Sequence, residues 1–243
     1  MIIPKREDVF HKIQLYRLLI ALLDSDLLSK LIYFKGGTAA SMLGFLDRFS
    51  IDLDFDIKKG SVVKIADKEL RQIFQNLDFE VDKKSSQTLY YVLKYKNKLG
   101  LRNLIKLSFI PIELKSNIYK PFYLSEIDRY ASCQTVETMF ANKLVALTDR
   151  YKKTKTIAGR DLYDIHHFFI KGYNYNEAVI KERTGKKTVT YLNELIKFID
   201  KKITERIITE DLSFLLPPDI FKKTRLVLKK ETLILLQDEI KRL

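Results

Sequence analysis

The segment Phe34-Lys35-Gly36-Gly37-Thr38, followed after a short helical spacer by Arg48-Phe49-Ser50-Ile51-Asp52-Leu53-Asp54-Phe55-Asp56-Ile57, decides how the rest of the chain is read. Across 51–57 apolar and acidic residues alternate strictly. A period of two belongs to a strand, with Asp52, Asp54 and Asp56 on one face and Ile51, Leu53, Phe55 and Ile57 on the other. Neighbouring carboxylates on one strand face stand ~7 Å apart, and such a pair is inexpensive to hold only in solvent or around a cation. Mg²⁺ suits them, because it binds one or two carboxylates together with substrate phosphates. Upstream, Gly36-Gly37-Thr38 lies between the apolar run 31–34 and a helical stretch near 39–46. Backbone N–H groups there can approach a phosphate without a Cβ in the way. Singly, the acidic face suits an edge strand and the glycine pair an ordinary turn. Together, glycine turn, helix and acidic strand form a site for a metal-bound nucleoside triphosphate.

Outward from this segment, an apolar stripe over 8–28 (Val9, Ile13, Leu15, Leu18, Leu19, Leu22, Leu23) predicts a helix. Residues 63–77 read as another. Strands are expected at 79–81, 88–95 and 101–110 in an antiparallel meander, turning at Asn97-Lys98-Leu99-Gly100. Beyond Pro121 the pattern becomes helical, over 138–150, 159–169, 176–183, 189–199 and 224–240, punctuated by Gly172, Gly185 and Pro217-Pro218. The expected architecture is α+β: a mixed core over 1–125 and a mainly helical domain over 126–243 that completes the active-site cleft, with the boundary near 120–135.

The 243 residues carry 44 Lys and Arg against 31 Asp and Glu, a net charge of +13 that favours a polyanionic partner. No apolar run approaches the roughly 20 residues of a membrane-spanning helix. The single cysteine, Cys133, excludes an internal disulfide and a cysteine-based zinc site. A cytoplasmic location is the expectation.

Lys35-Gly36-Gly37-Thr38 with Arg48-x-Ser50-x-Asp52-x-Asp54 resembles the AbiEii/AbiGii toxin family of type IV toxin–antitoxin and phage abortive-infection systems. That family has the DNA polymerase β-type nucleotidyltransferase fold. Its distal motifs, a helix lysine and Arg-Asp-x-x-Asp, are matched by Asn142-Lys143-Leu144 and Gly159-Arg160-Asp161-Leu162-Tyr163-Asp164. The resemblance implies metal-dependent transfer of a nucleotide from NTP to an acceptor, in some members the 3′ end of tRNA, which blocks translation. It also implies a cognate antitoxin encoded nearby. Carried over by position, Gly36, Gly37 and Thr38 hold the triphosphate, with Arg160 also on the nucleotide side. Asp52 and Asp54 bind Mg²⁺, as two ions, and Arg48 and Ser50 brace the acidic strand or touch phosphate. Nucleotide transfer to a protein hydroxyl, a regulatory kinase-like transfer of the γ-phosphate, and a catalytically impaired nucleotide- or RNA-binding module are the alternatives.

The residues of the second half support a site independently of the resemblance. Lys143, Leu147 and Arg150 fall at i, i+4 and i+7, so two cations share a helix face. Lys143 could neutralise charge on the triphosphate, and Asp161 and Asp164, three apart, could orient it or accept the acceptor hydroxyl's proton. The competing reading is a surface lysine beside an Arg160–Asp164 helix pair. One position departs from the polymerase β pattern: the later strand carries Ser108 where a third carboxylate is expected, and Glu113 follows only after Pro111. His166-His167 point about 100° apart on a helix and lack a third ligand at suitable spacing. Cys133 lacks a context that would activate it, and Tyr90, Tyr91 and Tyr95 read as strand packing or base-stacking groups. The basic runs at 181–187, 222–223 and 229–230 suit an RNA backbone or a solvated helix face equally well.

Overall fold

The computed structural model describes residues 1–59, 62–85 and 88–243. The chain divides into two compact units, Met1–Lys115 with Tyr119–Gln134, and Ser116–Ile118 with Thr135–Leu243.

Unit 1 holds α1 (Asp8–Asp24), β1 (Ile32–Lys35), α2 (Gly36–Met42), β2 (Leu53–Ile57), α3 (Val62–Asn76), β3 (Glu80–Lys84), β4 (Leu89–Lys94), β5 (Leu104–Pro111), β6 (Tyr119–Leu124) and β7 (Arg129–Gln134). Its seven strands form one sheet in the order β3-β4-β5-β2-β1-β7-β6. β2 runs parallel to β5 and β1 parallel to β7, and the other neighbours are antiparallel. The alternation across 51–57 predicts the environment of β2 well on its apolar side. Phe34, Phe55 and Phe109 lie in register on β1, β2 and β5, stack at 5.1 and 5.2 Å, and are buried. Burying one such ring stabilises by roughly 1.5–3 kcal/mol, and the three together pin the central strands in the register that sets the opposite face.

The meander β3-β4-β5 is found as expected. The hairpin β6–β7 is not foreseen by the sequence pattern. Pro121 lies within β6, and a strand interrupted by proline is tolerated here because β6 is the sheet edge. Its turn is closed by Asp128 at φ +52°, a left-handed position without the glycine that usually signals one. The stripe of α1 is also narrower than the sequence suggests: Leu15, Leu18, Leu19 and Leu22 are buried, while Val9 and Ile13 are 40% and 48% exposed.

Unit 2 is helical: α4 (Val136–Thr154), α5 (Gly159–Ile170), α6 (Glu177–Thr184), α7 (Thr188–Lys202), α8 (Glu205–Leu212) and α9 (Pro218–Arg242). Side-chain oxygens of Thr135, Asn176 and Thr204 cap α4, α6 and α8. Phe140 of α4 packs against Phe168 and Phe169 of α5 at 5.0 and 4.8 Å. Gly159 is required where α5 meets α8, since a Cβ there would stand 2.7 Å from the Ile207 carbonyl oxygen. Among the described residues no helix is long and apolar enough to cross a membrane.

His11 ties α1 to the residue that precedes Asp52. Its Nε2 lies 3.1 Å from the Ile51 carbonyl, which can only accept, and its Nδ1 lies 2.7 Å from the Tyr95 hydroxyl. Burial, with a smaller contribution from Arg102, brings its pKa down from 6.5 to about 4 against the opposing bond to Ile51. The unfolded chain therefore takes up a proton that the folded chain refuses between those values. Stability should fall by roughly 3 kcal/mol as pH drops from 6.5 to 4. Urea denaturation at several pH values should show this loss in the wild type and a much shallower loss in His11→Gln.

Candidate active site

Three consecutive residues at the β1–α2 junction hold the acidic strand, each by a different means. Gly36 adopts φ +78°, and a Cβ built on it would lie 2.6 Å from Asp54 Oδ2. The Asp54 carboxylate thus rests directly against the glycine turn. A Cβ on Gly37 would lie 2.7 Å from Arg48 Nη2 and 3.0 Å from Ser50 Oγ. Arg48 itself is buried, donating from Nη1 to the Phe49 carbonyl at 3.0 Å, while its own carbonyl accepts from Ser41 Oγ at 2.8 Å. Thr38 donates to the Asp52 carbonyl and lies 2.8 Å from Ser50 Oγ. Arg48, Ser50 and the Thr38 side chain are therefore buried around the start of the strand.

The sheet supplies the rest. Ser108 of β5 is in register with Asp54 of β2 and donates to its Oδ1 at 2.6 Å. The hydroxyl that replaces the expected third carboxylate thus orients the second one. Tyr90 of β4 is in register with Ser108, and the charges of Asp52 and Asp54, after burial, raise its pKa. Tyr90 is accordingly a half-buried neutral phenol beside the carboxylate pair. Tyr91 and Tyr95, by contrast, are buried on the other face, Tyr91 donating to Asp67 and Tyr95 to the Arg102 carbonyl.

Asp56 shares a strand face with Asp52 and Asp54 but not their environment. It is buried, with Lys35 Nζ at 2.5 Å from Oδ1, and the Tyr119 hydroxyl and Gln134 Nε2 at 2.8 and 2.7 Å from Oδ2. Its carboxylate holds β1, β6 and β7 together. Sequence reasoning misses this cluster because two of its members sit on the unforeseen hairpin.

In unit 2, Lys143 Nζ on α4 lies 2.9 Å from both Asp161 Oδ1 and Asp164 Oδ2 on α5. Arg150 Nη2 reaches Asp161 Oδ2 at 3.2 Å. The helix-face spacing of Lys143 and Arg150 predicts this convergence. Asp164 pairs with Lys143 and so does not reduce to the alternative i, i+4 pairing with Arg160. The Arg160 backbone N–H lies 3.4 Å from Asp211 Oδ2, and its charge adds to the positive field on Asp161. Burial alone would raise the Asp161 pKa, but Lys143 and Arg150 outweigh it and hold the carboxyl at about 2. A sealed carboxylate of that strength is a poor proton acceptor. The contact the structure gives Asp161 is with Lys143 and Arg150. Elsewhere, His166 pairs with Glu231 at 2.8 Å, and His167 stacks near Tyr163. Cys133 is buried, its thiol pushed up to about 12.

These geometries stand beside clear likenesses. The profile of the nucleotidyl transferase AbiEii toxin family, type IV toxin–antitoxin systems, matches residues 17–226. The chain belongs to this family. It is a nucleotidyltransferase, and the family implies an antitoxin partner. Among solved structures, JHP933 from Helicobacter pylori aligns at 20% identity over 98% of this chain and 95% of its own, with a TM-score of 0.59. A putative nucleotidyltransferase from H. pylori aligns at 21% identity over 96% of each chain, with a TM-score of 0.58. MenT4, a nucleotidyltransferase toxin of Mycobacterium tuberculosis, aligns at 18% identity over 97% of this chain and 87% of its own, with a TM-score of 0.55. The α+β nucleotidyltransferase fold is shared with all three. No curated protein matches the sequence.

Two stability measurements follow from this packing. Gly36→Ala should cost roughly 2–4 kcal/mol, because it adds backbone strain and displaces Asp54. Gly44→Ala, at φ +76° with open space around it, should cost only about 1 kcal/mol. Urea denaturation of the two variants isolates the Asp54 contact. Lys143→Ala leaves two buried carboxylates without their shared cation and should cost roughly 3–5 kcal/mol, read by the same method.

Proposed function

We propose that the chain transfers a nucleotide from NTP to the 3′ end of an RNA, with tRNA as the favoured acceptor, and thereby blocks translation or phage growth. The observation that carries this reading is the Asp54 carboxylate seated against Gly36, with Asp52 one pleat away. Two hard oxygen donors two residues apart, neither fully buried, fit Mg²⁺ with substrate phosphates completing its shell. Bound by Asp52 and Asp54, two such ions would neutralise the triphosphate and the charge that develops at phosphorus. The reaction is in-line: the acceptor hydroxyl oxygen bonds to the α-phosphorus as the Pα–O bond to pyrophosphate breaks.

The protein's own groups divide the remaining work. The backbone at Gly36 and Gly37 is offered to the triphosphate, while the space of their missing side chains is taken by Asp54, Arg48 and Ser50. Thr38, Arg48 and Ser50 keep the strand start fixed, and Ser108 fixes the Asp54 carboxylate. Within the helical unit, Lys143 is oriented by Asp161 and Asp164, and its ammonium can act on a phosphate as a point charge. The +13 net charge supports a polyanionic acceptor, and the natural site of action is the cytoplasm, where tRNA and NTP meet.

Incubation with α-labelled NTP, Mg²⁺ and total tRNA should label RNA. Asp52→Asn and Asp54→Asn should each lower the rate by at least ~100-fold, and chelation of divalent ions should abolish it. Label that survives either substitution overturns the site. Label that migrates with protein in place of RNA assigns the acceptor to a protein hydroxyl, and label delivered only from γ-labelled NTP assigns kinase chemistry.

A further inference from the structure

The C-terminal ends of α4 and α7 build a cationic cluster of an unusual kind. Tyr151 of α4 lies half-exposed, with Phe198 of α7 packed on it at 5.4 Å. Lys155 Nζ and Lys202 Nζ stand over its ring at 5.3 and 5.1 Å from the centroid. The charges of Lys202, Lys155 and Lys201 lower the Tyr151 pKa, with a hydrogen bond from Lys202 as the largest cause. Among the described residues, none of Lys152, Lys153, Lys155, Lys201 and Lys202 forms an ion pair. The acid nearest along α7, Asp200, turns toward Lys229, 3.9 Å away.

An aromatic face positions an ammonium without cancelling its charge, whereas a carboxylate does both. The cluster is therefore ordered and uncompensated at once. A second feature is independent of the charges. Lys155 closes α4 in the left-handed conformation, φ 57° and ψ 14°, with its N–H bonded to the Tyr151 carbonyl. Glycine is the usual residue at such a position. Lysine accepts backbone strain here, and its side chain is turned back over Tyr151.

We propose that Tyr151, Lys155, Lys201 and Lys202 grip the sugar–phosphate backbone of the RNA acceptor. This rests on the RNA reading above and names a surface for it. The ring sets the spacing of the two ammoniums, and phosphate oxygens supply the counter-charge that the protein omits. A polyanion with repeated phosphates satisfies several uncompensated lysines together, which a single small anion does not.

Fluorescence anisotropy with 5′-labelled tRNA, over a salt titration and without NTP, tests the proposal. The Lys155→Gln/Lys202→Gln double variant should bind about tenfold more weakly near physiological salt. It should also lower the slope of log affinity against log salt by ~1.4–1.8. Lys155→Gly should weaken binding while its melting temperature stays equal to or above that of the wild type, which separates RNA contact from folding. Lys222→Gln/Lys223→Gln on α9 should leave the slope unchanged. Unchanged affinity and slope in the first two variants, or a loss confined to the α9 variant, overturns the proposal. Transfer of α-label to tRNA by the wild type keeps the two readings apart. Labelled tRNA with an indifferent cluster sinks this surface alone, whereas a wild type that neither binds nor labels tRNA sinks the RNA reading itself.

Discussion

The carboxylate of Asp54 occupies the space into which a side chain at position 36 would project, and the acidic strand takes its position from that contact. Gly36 makes the approach sterically possible, at a backbone angle that L side chains avoid. Gly37 performs the same service for the Arg48 guanidinium one residue later, and Thr38 fastens the carbonyl of Asp52. Ser108 completes the arrangement from the parallel neighbour strand. Each of these constraints acts on β2 or on the backbone leading into it. The Asp54 carboxylate is consequently placed by the sheet and the turn, and the Asp52 backbone by Thr38. A site that must hold charged groups a few ångströms apart benefits from such rigidity, because misplacement by 1 Å can cost two orders of magnitude in rate.

Identical residue types on one strand face nevertheless do different jobs. Asp54 lies at the centre of the sheet beside a hydroxyl and a glycine, while Asp56, two residues on, is enclosed by Lys35, Tyr119 and Gln134. A buried carboxylate that accepts three hydrogen bonds, one from a cation, is structurally committed. Removing Lys35 would leave the buried charge without its counter-ion. The sheet's edge hairpin is thus tied to the strand that carries the proposed metal ligands, and the two are coupled through one side chain.

Much of this was legible beforehand, and the reasons are specific. Strict alternation across β2 gives the faces, and the Phe34–Phe55–Phe109 stack confirms the apolar one. Helical spacing of Lys143 and Arg150 on α4, and of Asp161 and Asp164 on α5, gives their shared faces and hence the ion cluster. What escaped were interactions without a local signature. β6 and β7 carry neither a clean apolar period nor a glycine turn, and their Pro121 argues against a strand unless the edge position is known. The helix α8 is a short segment defined by the Thr204 cap and by close packing on Gly159, a contact made across 48 residues of chain. Tyr90 is told apart from Tyr91 only by register against Ser108, which is a property of the sheet and not of the segment.

Two ways of anchoring a lysine coexist in unit 2, and their electrostatics differ. Lys143 and Arg150 face Asp161 and Asp164, so that cluster carries two positive and two negative charges and projects little field beyond its immediate contacts. It can position one ammonium accurately, but it cannot draw a polyanion from a distance. Lys155 and Lys202 are held by the Tyr151 ring instead, and their full charge remains available at the surface. Long-range attraction and short-range alignment place opposite demands on compensation, because the first needs net charge and the second needs a fixed geometry. A chain that uses carboxylates for one lysine and an aromatic ring for the others meets both demands without exposing an unpaired charge in its core.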